Sequence, residues 1–133
     1  MIFLDTSGIF AAAAVDDQNH ENALKAFDAA IGADEEFLVH SYVIVECAAL
    51  LQKRLGLNSA LSFLRDTRDF RVIWVSPELH QDAVALLEER KRSKLSLVDA
   101  VSFLVMRQEN VEQYLGFDEH FTKEGFERLS SKP

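Results

Sequence analysis

The chain has 133 residues, of which 48% are hydrophobic and 27% are charged, and it carries a formal net charge of −8 at pH 7. These values predict a single domain over residues 1–133, and they exclude binding to nucleic acid or anionic membranes through the overall charge. A single cysteine, Cys47, excludes an intrachain disulfide and a cysteine zinc cage, and the lack of a signal-peptide pattern or of an apolar run of about 18 residues predicts a cytoplasmic protein with no membrane partner.

The first half of the chain alternates short apolar runs with segments of helical spacing. In chain order it predicts a strand over residues 1–4, helices over 8–15 and 20–31, and a strand over 37–40. The first strand has no polar alternation, which is typical of a strand buried on both faces in a parallel sheet. Ser41 is expected to cap a helix that ends near residue 55, and Asn58 to open another that ends near residue 69. The apolar neighbours of Cys47 predict a buried thiol.

The second half continues the same alternation. It predicts a strand over residues 70–75, a helix from Pro77 to the basic run at 90–92, a helix over 97–107, a strand over 114–117, a helix over 119–124 and an edge strand over 126–129. Ser76 and Pro77 suit the start of the first of these helices, and Ser96 suits the cap of the second. Because strands and helices alternate with short connections, the sequence predicts an α/β layer structure with a mainly parallel sheet.

Four acidic residues lie inside or directly after apolar runs: Asp5, Glu46, Asp99 and Asp118. A buried, ionised carboxylate is strongly destabilising unless a partner compensates it. Each of the four also has an ordinary structural explanation. Asp5 and Asp118 can cap the helices that follow them, and Asp99 can form a capping box with Ser96. Glu46 can pair with a distant arginine.

Taken together, the four acids favour a metal site. The carboxyl ends of parallel strands meet at one edge of a sheet, where such folds place their ligands. Clustered carboxylates repel one another unless a hard cation holds them. Oxygen ligands suit Mg²⁺ or Mn²⁺, and the usual use of such a site is phosphoryl chemistry. The sequence therefore predicts a magnesium or manganese site.

Several short motifs carry a family resemblance. They are Leu4-Asp5-Thr6-Ser7, residues 17–23, Glu46 in its apolar helix, residues 95–100, and residues 117–121 followed by Gly125-Phe126. In this order and spacing, over nearly the whole chain, they resemble the PIN-domain family and its VapC-type toxin ribonucleases. The resemblance implies a three-layer α/β/α sandwich with a mainly parallel central sheet.

The resemblance also implies an activity, a site and partners. It implies a divalent-metal-dependent endoribonuclease, the toxin of a type II toxin–antitoxin system, with RNA as substrate, Mg²⁺ or Mn²⁺ as cofactor, a cognate antitoxin and a homodimer. The implied catalytic and metal-binding residues are Asp5, Glu46, Asp99 and Asp118. One position departs from the family pattern, because Gly116 stands where a hydroxyl or amide residue is common. This departure raises the question of how Asp118 is held.

Other classes of protein fit less well. No Gly-x-Gly-x-x-Gly follows the first strand and no P-loop is present, which excludes the usual dinucleotide and nucleoside-triphosphate sites. A phosphoryl-accepting domain would show Asp-x-Asp after the first strand or an aspartate after the third, where Val75-Ser76 stands. Ser7 lacks the Gly-x-Ser-x-Gly turn of a hydrolase nucleophile. The alternative that stays open is a catalytically weak or inactive PIN-like module, whose acidic pocket binds a basic antitoxin or peptide segment.

A net charge of −8 requires local cations if the chain binds RNA. The basic residues near the end of one predicted helix, close to Asp99 in the sequence, are the candidates for this role: Arg90, Lys91, Arg92 and Lys94. The four histidines show no metal-ligand spacing, so surface or packing roles are expected for His20, His40, His80 and His120. Of these, only His120 lies beside the predicted site.

Overall fold

The computed structural model describes residues 1–92 and 94–129. The strands among them are β1 (Ile2–Leu4), β2 (Phe37–His40), β3 (Arg71–Ile73), β4 (Gln113–Leu115) and β5 (Glu127–Arg128). The helices are α1 (Thr6–Ala13), α2 (His20–Gly32), α3 (Ser41–Leu55), α4 (Leu57–Asp66), α5 (Pro77–Arg90), α6 (Leu97–Gln108) and α7 (Glu119–Lys123), and a 3₁₀ turn over Thr67–Asp69 follows α4. No helix in this part of the chain is long and apolar enough to cross a membrane.

The five strands form one sheet in the order β3-β2-β1-β4-β5, and every pairing is parallel. The predicted parallel sheet is therefore confirmed. Connections between parallel strands are right-handed as a rule, which places α1 to α4 on one face of the sheet and α5 to α7 on the other. On the first face α1 contacts α2 and α3, and α3 contacts α4, whereas α5 contacts α6 on the second. The result is the three-layer α/β/α arrangement that the family resemblance implied. Because the chain leaves β1 toward β2 on one side and reaches β4 on the other, the carboxyl end of β1 lies at the switch point of the sheet.

The core consists of the central strands and the aromatic side chains that cover them. Ile2, Phe3 and Leu4 of β1 are at most 1% exposed, as expected for a strand covered on both faces. On the side of α6 and α7, Phe121 stacks on Tyr114 of β4 with 4.8 Å between ring centroids, and Phe103 of α6 meets it edge to face at 5.1 Å. Aromatic pairs of this kind add to area burial and fix α7 against the sheet.

Helix starts follow the predicted chemistry, with three corrections, the first of which is that α1 begins at Thr6, after its cap Asp5, rather than at residue 8. Ser76 caps α5 by accepting from the Leu79 N–H at 3.1 Å, with Pro77 at the first helical position. The prediction that Ser41 caps α3 is wrong, because the buried His40 accepts from the Val43 N–H at 3.3 Å and Ser41 is already helical. Ser41 instead accepts a hydrogen bond from Val75 N–H at 2.9 Å, which ties α3 to the segment after β3. Helix α4 begins at Leu57 rather than at Asn58, because Gly56 adopts a φ of 100° and ends α3 there.

Gly8 allows α1 to pack directly against the end of β4. A Cβ atom at this position would lie 2.5 Å from the Leu115 carbonyl oxygen and 2.7 Å from the Leu115 side chain. The same carbonyl accepts a hydrogen bond from the Asp5 N–H at 3.1 Å. Gly8 therefore lets the first turn of α1, and Asp5 with it, lie beside β4.

We expect Gly8→Ala to destabilise the protein by about 1–3 kcal/mol, because a backbone oxygen cannot move aside for the added methyl group. Gly32→Ala is the matched control, since a Cβ at this helical position meets nothing within 4 Å. It should be neutral or stabilising by about 0.4–1 kcal/mol. Urea unfolding of the three proteins measures both effects, and equal stability of Gly8→Ala and wild type would show that the contact is not tight.

Candidate metal centre

Asp5 lies directly after β1 and caps α1. Its Oδ2 accepts hydrogen bonds from the Ser7 hydroxyl at 2.6 Å and from the Ser7 N–H at 3.3 Å, and the residue is 5% exposed. Burial raises the pKa of Asp5 to about 6, against the opposing effect of the Ser7 hydrogen bond. The negative charges of Asp99 and Asp118 raise this pKa further, so both carboxylates are close to Asp5.

Asp99 is the third residue of α6 and forms the predicted capping box. Its carboxylate accepts from the Ser96 N–H at 3.1 Å, while the Ser96 hydroxyl accepts from the Asp99 N–H at 3.0 Å. Burial raises the pKa of Asp99 above its ordinary value, the hydrogen bond from the Ser96 N–H opposes this, and the nearby charge of Asp118 raises it again. Asp99 is therefore both a member of the capping box and a buried acid.

Asp118 caps α7, as its position in the sequence allowed. Its Oδ1 accepts a hydrogen bond from the His120 N–H at 2.9 Å. Phe121, fully buried in the core, fixes the same short helix. Three helices, α1, α6 and α7, thus begin at the acidic site, and their unpaired N–H groups place positive partial charge beside the carboxylates.

The compact part of the site contains two of the four predicted acids and one histidine. One potential ligand atom each from Asp99, Asp118 and His120 lies within 4.8 Å of the others. His120 Nδ1 lies 2.9 Å from Asp118 Oδ1 and 3.7 Å from Asp99 Oδ2. This nitrogen is buried and has no hydrogen-bond partner among the described residues. The sequence position of His120 beside Asp118 predicted its place next to the site, but the expected surface or packing role did not include its close approach to both acids.

Glu46 is not a member of this compact group. It lies on an exposed part of α3, whereas the sequence pattern suggested a carboxylate in apolar surroundings. Its neighbour Cys47 is fully buried, as predicted, and burial raises the pKa of the Cys47 thiol to about 12, with further contributions from the charges of Glu46 and Asp5. Glu46 and Asp5 are therefore both close to the Cys47 thiol.

The close packing around Gly116 explains the departure from the family pattern. A Cβ atom there would lie 2.9 Å from Asp5 Cβ and 3.0 Å from Ser7 Oγ, so a larger residue does not fit without movement of Asp5. The Ser7 hydroxyl accepts a hydrogen bond from the Phe117 N–H at 2.8 Å while donating to Asp5. Ser7 thus fixes the segment before Asp118.

His40 connects the two helices that carry Glu46 and Asp99. The Ser102 hydroxyl of α6 donates to the Val98 carbonyl and is 2.8 Å from His40 Nε2, so this nitrogen carries the proton and donates to Ser102. Nδ1 of His40 then accepts from the Val43 N–H. Burial lowers the pKa of His40 to about 3, which keeps the ring neutral. The predicted packing role of this histidine therefore holds.

Arg90 of the basic run is engaged by an ion pair within the protein. Its guanidinium binds both carboxylate oxygens of Glu124, and Arg107 binds the same carboxylate. The hydrogen bond from Arg90 is the main reason that the pKa of Glu124 falls to about 2. Lys91, Arg92 and Lys94 are exposed. Arg90 is therefore engaged within the protein, and the contact of the basic residues with RNA stays a prediction.

The residues at the site fit a divalent metal ion. Carboxylate oxygens are the preferred ligands of Mg²⁺ and Mn²⁺, and an imidazole nitrogen is a ligand for transition metals. The charge of Asp118 raises the pKa of both Asp5 and Asp99, and the hydrogen bonds from Ser7 and Ser96 offset only part of the effect of burial. A cation at the site would offset the remainder.

The fold and the acidic site define a class of protein that comparison with known families identifies. The family model for the PIN domain matches residues 2–126, and the chain belongs to the PIN domain family. The 23S rRNA-specific endonuclease VapC20 of Mycobacterium tuberculosis, in strains H37Rv and CDC 1551, is 30% identical over 128 residues, which cover 95% of each chain. The crystal structure of M. tuberculosis VapC20, described as a sarcin-ricin loop cleaving toxin, aligns with a TM-score of 0.83 and 29% identity over 95% of this chain and 96% of that one. The resemblance to VapC-type toxins is thereby confirmed.

Asp5→Asn should stabilise the metal-free protein at neutral pH. Because the pKa of Asp5 is about 6 in the folded state against 3.8 ordinarily, the stability contributed by its protonated form is present below pH 3.8 and is lost as pH rises through 6. Asparagine caps a helix as well as aspartate and carries no charge. We expect a gain of up to about 3 kcal/mol in the free energy of unfolding at pH 7, from 1.36 kcal/mol for each unit of pKa.

Urea unfolding in EDTA across pH 4–8 measures this gain, which should disappear toward pH 4. An Asp5→Asn variant that is less stable than wild type at pH 7 would contradict the conclusion that the buried, ionised Asp5 destabilises the folded protein.

Proposed function

We propose that this chain is a divalent-metal-dependent endoribonuclease, the toxin component of a type II toxin–antitoxin system. The convergence of three carboxylates, each at the start of a helix, at the switch point of a parallel sheet carries this proposal, together with similarity to VapC20 over 95% of the chain. VapC20 is named for its action on 23S rRNA, so structured ribosomal RNA is the first substrate to test. The alternative is a binding module with the same pocket and no activity.

In this proposal Asp99 and Asp118 hold the metal ion, with Asp5 and Glu46 as the further acids of the site. A bound Mg²⁺ or Mn²⁺ would lower the pKa of a water molecule and stabilise the charge that develops on the phosphate. Ser7 orients Asp5 through its hydroxyl, and Ser96 orients Asp99 through its N–H. The N-termini of α1 and α6 favour an anionic phosphate beside them. The chain itself thus supplies orientation and partial positive charge.

A cognate antitoxin and a homodimer are the proposed protein partners. An arginine or lysine of the antitoxin is the group that we propose enters the acidic pocket, since a guanidinium can bind two carboxylates and replace the metal charge. Competition between the antitoxin and the metal ion would follow from this arrangement. An inactive binding module would bind a basic segment in the same acidic pocket. An RNA cleavage assay distinguishes that alternative from the enzyme.

Replacing a metal-binding acid should abolish cleavage without unfolding the protein. We expect Asp99→Asn and Asp118→Asn each to lower the rate of RNA cleavage by more than about 100-fold, because the charge that holds the ion is lost while the cap is kept. Asp82→Asn on the exposed face of α5 is the matched control and should cleave at the wild-type rate. Cleavage with Mg²⁺ or Mn²⁺, and with excess EDTA, completes the assay. Undiminished cleavage in EDTA would contradict a metal-dependent enzyme.

The exposed basic residues Lys91, Arg92 and Lys94 are the proposed contacts to the RNA backbone. Each lost phosphate contact should reduce the slope of log affinity against log salt by about 0.7 for single-stranded RNA. Replacing all three with glutamine should therefore weaken RNA binding and reduce the slope. Both are measured by RNA binding of proteins that also carry Asp99→Asn, so that the RNA is not cleaved during the experiment. Arg90→Gln is the control and should leave the slope unchanged, because Arg90 is bound to Glu124. A triple variant with the wild-type slope would place the RNA on another surface.

A further inference from the structure

We infer that His120 is a direct ligand of the metal ion, which binds to two carboxylates and one imidazole rather than to carboxylates alone. This inference deepens the proposed function and rests on it. It assigns a role to a histidine whose sequence position alone favoured the surface or the packed interior. The atom concerned is Nδ1, the nitrogen that is nearest to both Asp99 and Asp118.

The distances suit shared coordination of one ion. Adjacent ligands of an octahedral ion with bonds of about 2.1 Å lie about 3 Å apart. His120 Nδ1 and Asp118 Oδ1 are separated by 2.9 Å, and His120 Nδ1 and Asp99 Oδ2 by 3.7 Å. The first pair therefore already has the spacing of neighbouring ligands, and the second requires a shift of less than 1 Å.

The hydrogen bonds of the site leave Nδ1 available. Although it lies near Asp118, it makes no hydrogen bond and is shielded from solvent. The Asp118 oxygen beside it already accepts from the His120 backbone N–H. By contrast, Nδ1 of His80 is bound to the Tyr42 hydroxyl at 2.6 Å, and Nδ1 of His20 lies 2.8 Å from the Ala11 carbonyl. Nδ1 of His120 is thus 2.9 Å from a carboxylate oxygen without a hydrogen bond to it, and a metal ion bound to both atoms would satisfy the nitrogen and the carboxylate together.

The backbone around His120 is fixed well enough to present a ligand. His120 lies in the first turn of α7, which Asp118 caps. The next residue, Phe121, is fully buried against Tyr114 and Phe103. Because Asp118 and His120 belong to the same turn, any movement of α7 carries both ligands together.

A nitrogen ligand changes which ion the site prefers. Imidazole binds transition metals better than it binds Mg²⁺, whereas carboxylates serve both. The site should therefore bind Mn²⁺ more tightly than an all-carboxylate site would. Loss of the imidazole should reduce Mn²⁺ affinity about tenfold, a change at the lower end of what loss of an orienting group costs a metal site, and reduce Mg²⁺ affinity less.

Pulsed electron paramagnetic resonance of Mn²⁺ bound to the full chain tests the inference directly. We expect a coupling to directly coordinated ¹⁴N in the wild type, replaced by a ¹⁵N coupling when the protein is labelled with [¹⁵N]histidine. The coupling should be absent in His120→Gln and retained in His80→Gln, the matched histidine control. Titration with Mn²⁺ and with Mg²⁺ gives the affinities of each protein. The labelling experiment needs no variant, so it stands even if His120→Gln does not fold.

The possible results distinguish failure of the His120 assignment from failure of the proposed metal site. Bound Mn²⁺ without a nitrogen coupling, or a coupling that persists in folded His120→Gln, would overturn the assignment of His120 and leave the proposed metal site in place. Failure of wild type to bind Mn²⁺ or Mg²⁺ at all would overturn this inference and the metal dependence of the proposed function together. Loss of the coupling only in His120→Gln, with a selective loss of Mn²⁺ affinity, would support the inference.

Discussion

Mutual repulsion of Asp5, Asp99 and Asp118 is the constraint on which the rest of this structure depends. Two of these carboxylates are buried, and their like charges add to the free energy of keeping them ionised. The protein offsets part of this through hydrogen bonds from Ser7, Ser96 and the His120 N–H. Each donor belongs to the start of a helix. The packing of α1, α6 and α7 therefore determines where the three acids lie.

The sheet explains why these helix starts meet. β1 is central, with β2 on one side and β4 on the other, so the chain leaves its carboxyl end in one direction and returns on the far side. Gly8 and Gly116 permit the close approach that this geometry demands, because a side chain at either would collide with β4 or with Asp5. The site therefore depends on the absence of side chains at two positions as much as on the acids themselves.

Local sequence signals were sufficient for most of the fold. An apolar run such as residues 37–40 predicts a buried strand from its own composition, without knowledge of its partners. Ser76-Pro77 and Ser96 start helices through contacts within four residues. The errors arose where partners are distant in sequence. His40 replaces Ser41 as a cap because a bond to Ser102 orients its ring, and Arg90 is engaged because Glu124 lies beside it in space. The proximity of Asp99 to His120 likewise depends on tertiary packing that no spacing in the sequence encodes.

The acids of the site also help to start helices, and this has an evolutionary consequence. A single nucleotide change converts an aspartate codon to an asparagine codon, and asparagine keeps the cap while the charge is lost. Asparagine substitutions at Asp5, Asp99 or Asp118 are therefore expected to spare the fold, and under the proposed function they would abolish activity, unlike most changes to a buried residue. A lineage carrying such a gene can keep a folded, silent copy that still displays the surface of the active form. Loss of activity through such a substitution would then leave a folded protein rather than a misfolded one.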